Sequence, residues 1–180
     1  MLNTYLTLTN MKTAAKEFAK VVSMAGNTTK IRGFSTNVSN YNPFNATIRE
    51  NYTEWSHSWD ESHYASSLAP HLKANGLPAH FITDQGRVAL PGARAAWGDW
   101  CNVAPSGLGH PYTTETGNEF VDALVWIKPG GESDGACGMD GAPGAGAWFE
   151  KYTEMLIKNA DPALADLVKN QPKKSPWGPY

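Results

Sequence analysis

A chain of 180 residues suits one domain with a sizeable core, and its formal net charge of −2 makes no electrostatic case for nucleic acid or an anionic membrane. No run of Lys or Arg restores that case, and no apolar stretch approaches the length of a membrane span. The seven tryptophans are many for this length; some are expected in the core, and the excess beside Asp, Asn and Gly suits stacking on sugar rings.

Residues 1–9 lack the uninterrupted apolar core of a signal peptide. Met11, Ala15, Phe18, Val22 and Ala25 fall at helical spacing, which predicts an amphipathic helix over 12–25 stopped by Gly26. A short strand is predicted over 30–34, centred on Ile31-Arg32-Gly33-Phe34. The segment 35–43 is crowded with amides and hydroxyls, which favour turns and also hydrogen-bond sugars. A second helix is predicted from a capping box at Ser58 and Glu61, with Tyr64, Leu68 and Leu72 on one face and Asn75-Gly76 at its end. Pro70 is expected to kink or break it, and His63 and His71 to lie on its surface. The next strand, 79–83, delivers Asp84 and Arg87 at its carboxyl end, either paired with each other or in contact with substrate. A long irregular stretch over 105–119 precedes a buried strand over 123–127. A last helix over 148–159 carries Trp148, Tyr152, Met155 and Leu156 on one face and stops at Asp161-Pro162, leaving 163–180 as a tail. This β/α alternation implies a mainly parallel, partial sheet with helices packed on it, in one domain without repeats or a linker.

The densest chemistry follows the third strand, in Lys128-Pro129-Gly130-Gly131-Glu132-Ser133-Asp134-Gly135. One cation and two carboxylates fall within seven residues on a glycine-loosened backbone. Ligands of α/β proteins bind at such carboxyl ends, although a solvated turn would have the same composition. Cys101 and Cys137 are the only cysteines; such a pair suits a disulfide in an oxidising compartment or two buried thiols. The sequons at Asn27, Asn37, Asn45 and Asn51 lean the same way, towards secretion. Five histidines without an H-x-x-x-H pair, and no thiolate cluster, predict no metal site, and nothing calls for a cofactor.

Four blocks, in order, resemble glycoside hydrolase family 6, the cellobiohydrolases and endoglucanases. They are Arg32-Gly33-Phe34-Ser35-Thr36-Asn37-Val38-Ser39-Asn40-Tyr41-Asn42, Phe81-Ile82-Thr83-Asp84-Gln85-Gly86-Arg87, Trp97-Gly98-Asp99-Trp100-Cys101-Asn102, and Val125-Trp126-Ile127 with the loop 128–135 that follows. The resemblance runs over about 12–162 and implies the C-terminal part of a distorted parallel β/α barrel with its site over the strands' carboxyl ends. It implies a secreted, inverting hydrolase of β-1,4-glucosidic bonds acting on cellulose or cello-oligosaccharides. By the same resemblance Trp100 stacks on a glucose ring on the non-reducing side of the cut, and Asn40 contacts substrate. Lys128 and Glu132 hydrogen-bond hydroxyls near the scissile bond. Asp134 is the candidate base, and Cys101 and Cys137 form a disulfide. Inversion needs an acid and a separated base, roughly 6.5–9.5 Å apart, and Lys128 nearby would favour the ionised form of Asp134.

Three departures qualify what the resemblance implies. Nothing in the sequence matches the family's general acid, so the expected barrel is incomplete and its missing N-terminal half becomes a candidate partner. The interval Gly135-Ala136 before Cys137 is short, which implies a more open cleft. The sequon at Asn37 falls in a segment that faces the site, so Asn37 is expected to carry no glycan. The alternative to a hydrolase is a glucan-binding protein without catalysis, or a truncated product.

Overall fold

In the computed structural model, which describes residues 8–26 and 30–170, the first helix, α1, runs Leu8–Met24. Met11 and Ala15 are fully buried on its inner stripe, and Phe18, Ala19 and Val22 pack beside them. Gly26 follows the helix with φ +105°, the left-handed region in which only glycine is unstrained.

The first strand, β1, is Phe34–Thr36, later than the sequence suggests. Gly33 explains the delay. A Cβ there would lie 1.8 Å from the His80 carbonyl oxygen, so the chain must cross close over that peptide before pairing begins. Phe34 N then donates to the same carbonyl at 2.9 Å.

Helix α2, Glu61–Ala74, is capped by Asp60 and not by Ser58. One carboxylate oxygen accepts from His63 N at 2.8 Å and the other from Ala46 N at 3.0 Å, so Asp60 also pins the preceding loop. Pro70 sits inside the helix without ending it. It lies on the exposed side, where water can take the hydrogen bond that its missing N–H leaves unmade. The opposite face, with Tyr64, Ala65, Leu68, Ala69 and Leu72, is buried.

Strands β2, Phe81–Asp84, and β3, Val121–Val125, complete a parallel sheet of order β1-β2-β3. The register pairs Phe34 with Phe81 and Asp84 with Val125, so the carboxyl ends align. Phe81, Val121 and Leu124 join Met11, Tyr64, Leu68 and Leu72 in the main core. The crossover from β1 to β2 carries α2; the one from β2 to β3 contains no helix. Among the described residues the sheet is open and closes no barrel.

Helix α3 is Glu150–Lys158, with Phe149, Tyr152 and Leu156 in a second, smaller core. Trp148 therefore precedes the helix. Helix α4, Pro162–Asn170, occupies all of the described part of the expected tail, and residues 171–180 lie outside the described residues. Pro162 starts this helix, with Asp161 Oδ1 accepting from Ala163 N at 2.8 Å.

None of the six described tryptophans is buried, against the expectation that some would be core. They lie over loops and against other flat groups. Trp55 meets Trp97 at 5.8 Å between centroids, Arg49 lies 4.0 Å over Trp59, and Trp126 Nε1 donates to His110 O at 2.9 Å.

Candidate active site

Each strand ends in a loop rich in polar side chains, and one buried carboxylate gathers all three loops. Asp84, the last residue of β2, accepts from Ser39 N at 3.2 Å, Gly86 N at 2.9 Å, Ile127 N at 3.3 Å and Lys128 N at 3.0 Å. Four main-chain N–H groups satisfy the charge, and no cation among the described residues pairs with it. The expected pair between Asp84 and Arg87 is thus not formed. Asn37, at φ 57°, adds a second clasp: its Nδ2 donates to Asn42 O at 2.9 Å and Asp84 O at 2.8 Å.

Arg87 points instead to Asp134. Nη1 donates to Asp134 Oδ2 at 2.7 Å, Nη2 donates to Ser39 O at 2.7 Å, and the guanidinium carbon lies 4.3 Å over the Tyr41 ring. The two side chains are 1% and 5% exposed. Burial works against the charge on Arg87, but Tyr41 and Asp134 outweigh it and hold the guanidinium above its ordinary range. Asp134 Oδ2 also accepts from Tyr41 OH at 3.0 Å and from Asn102 N at 2.9 Å. Burial pushes the Tyr41 hydroxyl well up and raises that of Tyr152, so both stay protonated.

The cation beside Asp134 is therefore Arg87. Lys128, expected in that role, pairs with Glu132 at 3.3 Å on the same loop. Gly131 allows that loop to lie against Trp148: a Cβ there would come within 2.0 Å of the indole. Asn40 Oδ1 accepts from Tyr41 N at 2.9 Å and from Arg94 Nη1 at 3.4 Å, on the β1 loop beside Arg87's partner Ser39. Trp100 is 54% exposed. Cys101 and Cys137 are disulfide-bonded with Cα atoms 5.9 Å apart, which ties the Trp100 loop to the Asp134 loop. Among the described residues no cluster of three or more His, Cys, Asp or Glu is placed to hold a metal ion.

Sequence reasoning missed Tyr41, Tyr152, Arg87's true partner and Asn102. Asn102 is fully buried at φ 41°. Its Oδ1 accepts from Asp134 N at 2.9 Å, and its Nδ2 donates to Gly135 O at 2.8 Å and Cys137 O at 2.9 Å. Both Asn102 and Tyr41 lie within blocks that the resemblance picks out, but nothing local marks their partners.

The sequons now separate. Asn37 is buried and its Nδ2, the atom a glycan would occupy, is spent on two carbonyls. Asn45 is exposed on a loop, as is its Thr47. Passage through a eukaryotic secretory pathway is expected to glycosylate Asn45 and leave Asn37 bare. Peptide mapping after enzymatic deglycosylation in heavy-oxygen water reads this directly; label at Asn37 in folded protein would contradict the burial.

Comparison with known proteins gives a consistent result. The sequence pattern of the glycosyl hydrolases family 6 matches residues 3–160. The chain is 64% identical over 159 residues to the 1,4-beta-D-glucan cellobiohydrolase CEL6B of Podospora anserina, covering 86% of this chain and 38% of that protein. Among solved structures, endoglucanase CEL6B from Humicola insolens superposes with a TM-score of 0.81 at 56% identity, over 85% of this chain and 44% of that one. Cellobiohydrolase II (CEL6A) from Humicola insolens, solved with glucose and cellotetraose, gives 0.78 at 40% identity, over 84% of this chain and 47% of the other. The chain thus spans less than half the length of each of these relatives.

Proposed function

We propose that this chain, which belongs to glycosyl hydrolases family 6, forms one wall of a β-1,4-glucan cleft in a secreted, inverting cellulase. Asp134 acts as the base that takes a proton from the attacking water. Trp100 stacks on a glucose ring on the non-reducing side of the cut, and Asn40, Lys128 and Glu132 hydrogen-bond sugar hydroxyls around it. The single observation that carries the reading is the state of Asp134: a buried carboxylate held at one oxygen by Arg87, Tyr41 and Asn102, at the carboxyl ends of a parallel sheet. The names of the relatives, and the cellotetraose bound to one of them, support the substrate class.

Inversion also requires an acid that protonates the leaving oxygen. No residue of this chain is assigned that role, and the acid would come from the remaining part of a family barrel. General acid catalysis is worth about 10²–10⁴-fold, so the chain by itself is expected to bind glucan while cleaving it slowly. The disulfide and the exposed sequon at Asn45 support passage through an oxidising, secretory route. The short interval before Cys137 supports an open cleft.

Titration calorimetry of the chain with cellotetraose tests the reading. Trp100→Ala is expected to weaken binding about tenfold, the effect of losing one stacked ring at about 1.5 kcal/mol. Equal affinity in the variant would remove Trp100 from the cleft. A second reading is glucan binding without catalysis, for which an exposed Trp100 and the Lys128–Glu132 pair suffice. It predicts the same loss with Trp100→Ala but no dependence of sugar release on Asp134→Asn in any preparation that cleaves cellotetraose.

A further inference from the structure

We infer that Tyr152 of α3 is a positioning residue that acts through Tyr41 to orient Asp134 and to leave Oδ1 as its basic oxygen. The functional part of this inference rests on Asp134 as the base; the hydrogen-bond geometry does not.

Proton counting fixes the direction of the chain. Ionised Asp134 can only accept, so Tyr41 spends its one hydroxyl proton on Oδ2, at 3.0 Å. The Tyr41 oxygen lies 2.7 Å from the Tyr152 hydroxyl and must then accept from it. It also accepts from Val103 N, at 3.2 Å. Ser106 Oγ lies 3.0 Å from the Tyr152 hydroxyl, but its one proton goes to Val103 O at 2.8 Å, so the directed series begins at Tyr152. The hydroxyl protons of Tyr152 and Tyr41 both point one way, towards the carboxylate. Tyr41, Tyr152 and Ser106 are all buried, and such aligned hydrogen bonds strengthen one another in a low dielectric.

The consequence falls on the two oxygens of Asp134. Oδ2 already accepts from Arg87, Tyr41 and the Asn102 amide. A proton arriving there would have to displace one of these donors. No donor among the described residues reaches Oδ1, and the Asp134 side chain keeps 5% of its surface exposed. Proton uptake from an attacking water therefore falls on Oδ1: the water's O–H bond breaks and its oxygen adds to the anomeric carbon as the glycosidic C–O bond breaks, the leaving oxygen takes its proton from the general acid outside this chain, and the tyrosines keep their own protons. Tyr152 lies 111 residues from Tyr41 in sequence, so α3 contributes to the site although none of its residues lies in the loops around Asp134.

The test uses the 180-residue chain labelled with ¹³C at tyrosine Cζ and aspartate Cγ, observed by NMR. Tyr152→Phe keeps the ring that stacks on Phe149, with centroids 5.8 Å apart, so the fold is expected to persist. The expected result is a shift of both the Tyr41 Cζ and the Asp134 Cγ signals in Tyr152→Phe, and a larger Asp134 shift in Tyr41→Phe. Phe149→Leu, which disturbs the same stack without touching a hydroxyl, leaves the Asp134 signal in place. An Asp134 signal that moves in Tyr41→Phe but not in Tyr152→Phe would overturn the role of Tyr152. A signal that moves equally in Phe149→Leu would reduce Tyr152 to packing. Failure of the base reading shows separately, as turnover indifferent to Asp134→Asn with these NMR shifts intact.

Discussion

Arg87→Met is expected to cost the fold about 3–5 kcal/mol, because it leaves a buried carboxylate without its cation. Asp134 would keep Tyr41 OH and Asn102 N, two neutral donors that cannot balance a full charge. Met fills much of the space and keeps contact with the Tyr41 ring, so the loss is chiefly electrostatic. For a chain of this size the midpoint of thermal unfolding would fall by about 10 °C, read by circular dichroism at neutral pH. Adding Asp134→Asn to the same chain is expected to recover a large part of that loss, since the amide carries no charge to strand. Arg87→Lys is no substitute. One ammonium cannot reach both Asp134 and the Ser39 carbonyl from a planar fork, and it loses the stacked face on Tyr41. A loss below 1 kcal/mol in Arg87→Met, with no recovery in the double variant, would show that the pair contributes little and that Asp134 is held by the main chain instead.

Helix α1 was legible because Met11, Ala15, Phe18 and Val22 repeat at helical spacing and the buried stripe is continuous. Strand ends were not, and the reason is tertiary. The apolar run suggested a strand to Ile127, but β3 stops at Val125. The next amides, Ile127 N and Lys128 N, turn to the Asp84 carboxylate and leave the ladder. Likewise Pro162 reads as the end of one helix when it begins another, since a proline at a first helical position loses no hydrogen bond. Within the candidate site, the Lys128–Glu132 pair has the i,i+4 spacing that sequence can suggest. The surroundings of Asp134 do not: Arg87 is 47 residues away and Tyr41 is 93. Local charge density pointed to Lys128 as its cation, and only the folded loops exchange that partner for Arg87. The candidate roles of Trp100, Asn40 and Asp134 came from family resemblance, because no local physical signal distinguishes an indole over a sugar from one over a loop.

Asn102→Ala is expected to loosen the Asp134 loop from the Trp100 loop even while the Cys101–Cys137 disulfide stays closed. The disulfide holds two Cα atoms 5.9 Å apart but sets no peptide plane. Asn102 sets several, accepting from Asp134 N and donating to Gly135 O and Cys137 O from a side chain with no exposed surface. Truncation leaves the Asp134 N–H buried without that acceptor, at about 1–3 kcal/mol, while Gly135 O keeps Cys137 N and Cys137 O keeps Met139 N as donors. Alanine also tolerates φ 41° less well than asparagine, at about 1–2 kcal/mol. The sum, about 2–5 kcal/mol, brackets the roughly 4 kcal/mol that the chain-entropy model assigns to the disulfide. Asn102→Gly separates the two causes. It removes the same hydrogen bonds but relieves the backbone, so it should be more stable than alanine by about 1 kcal/mol. Urea unfolding of the oxidised proteins measures both differences, and hydrogen exchange at the Asp134 amide reports the loop alone. Equal stability in Ala and Gly would remove the backbone contribution. Protection at the Asp134 amide that survives Asn102→Ala would mean that the disulfide, not Asn102, fixes this loop.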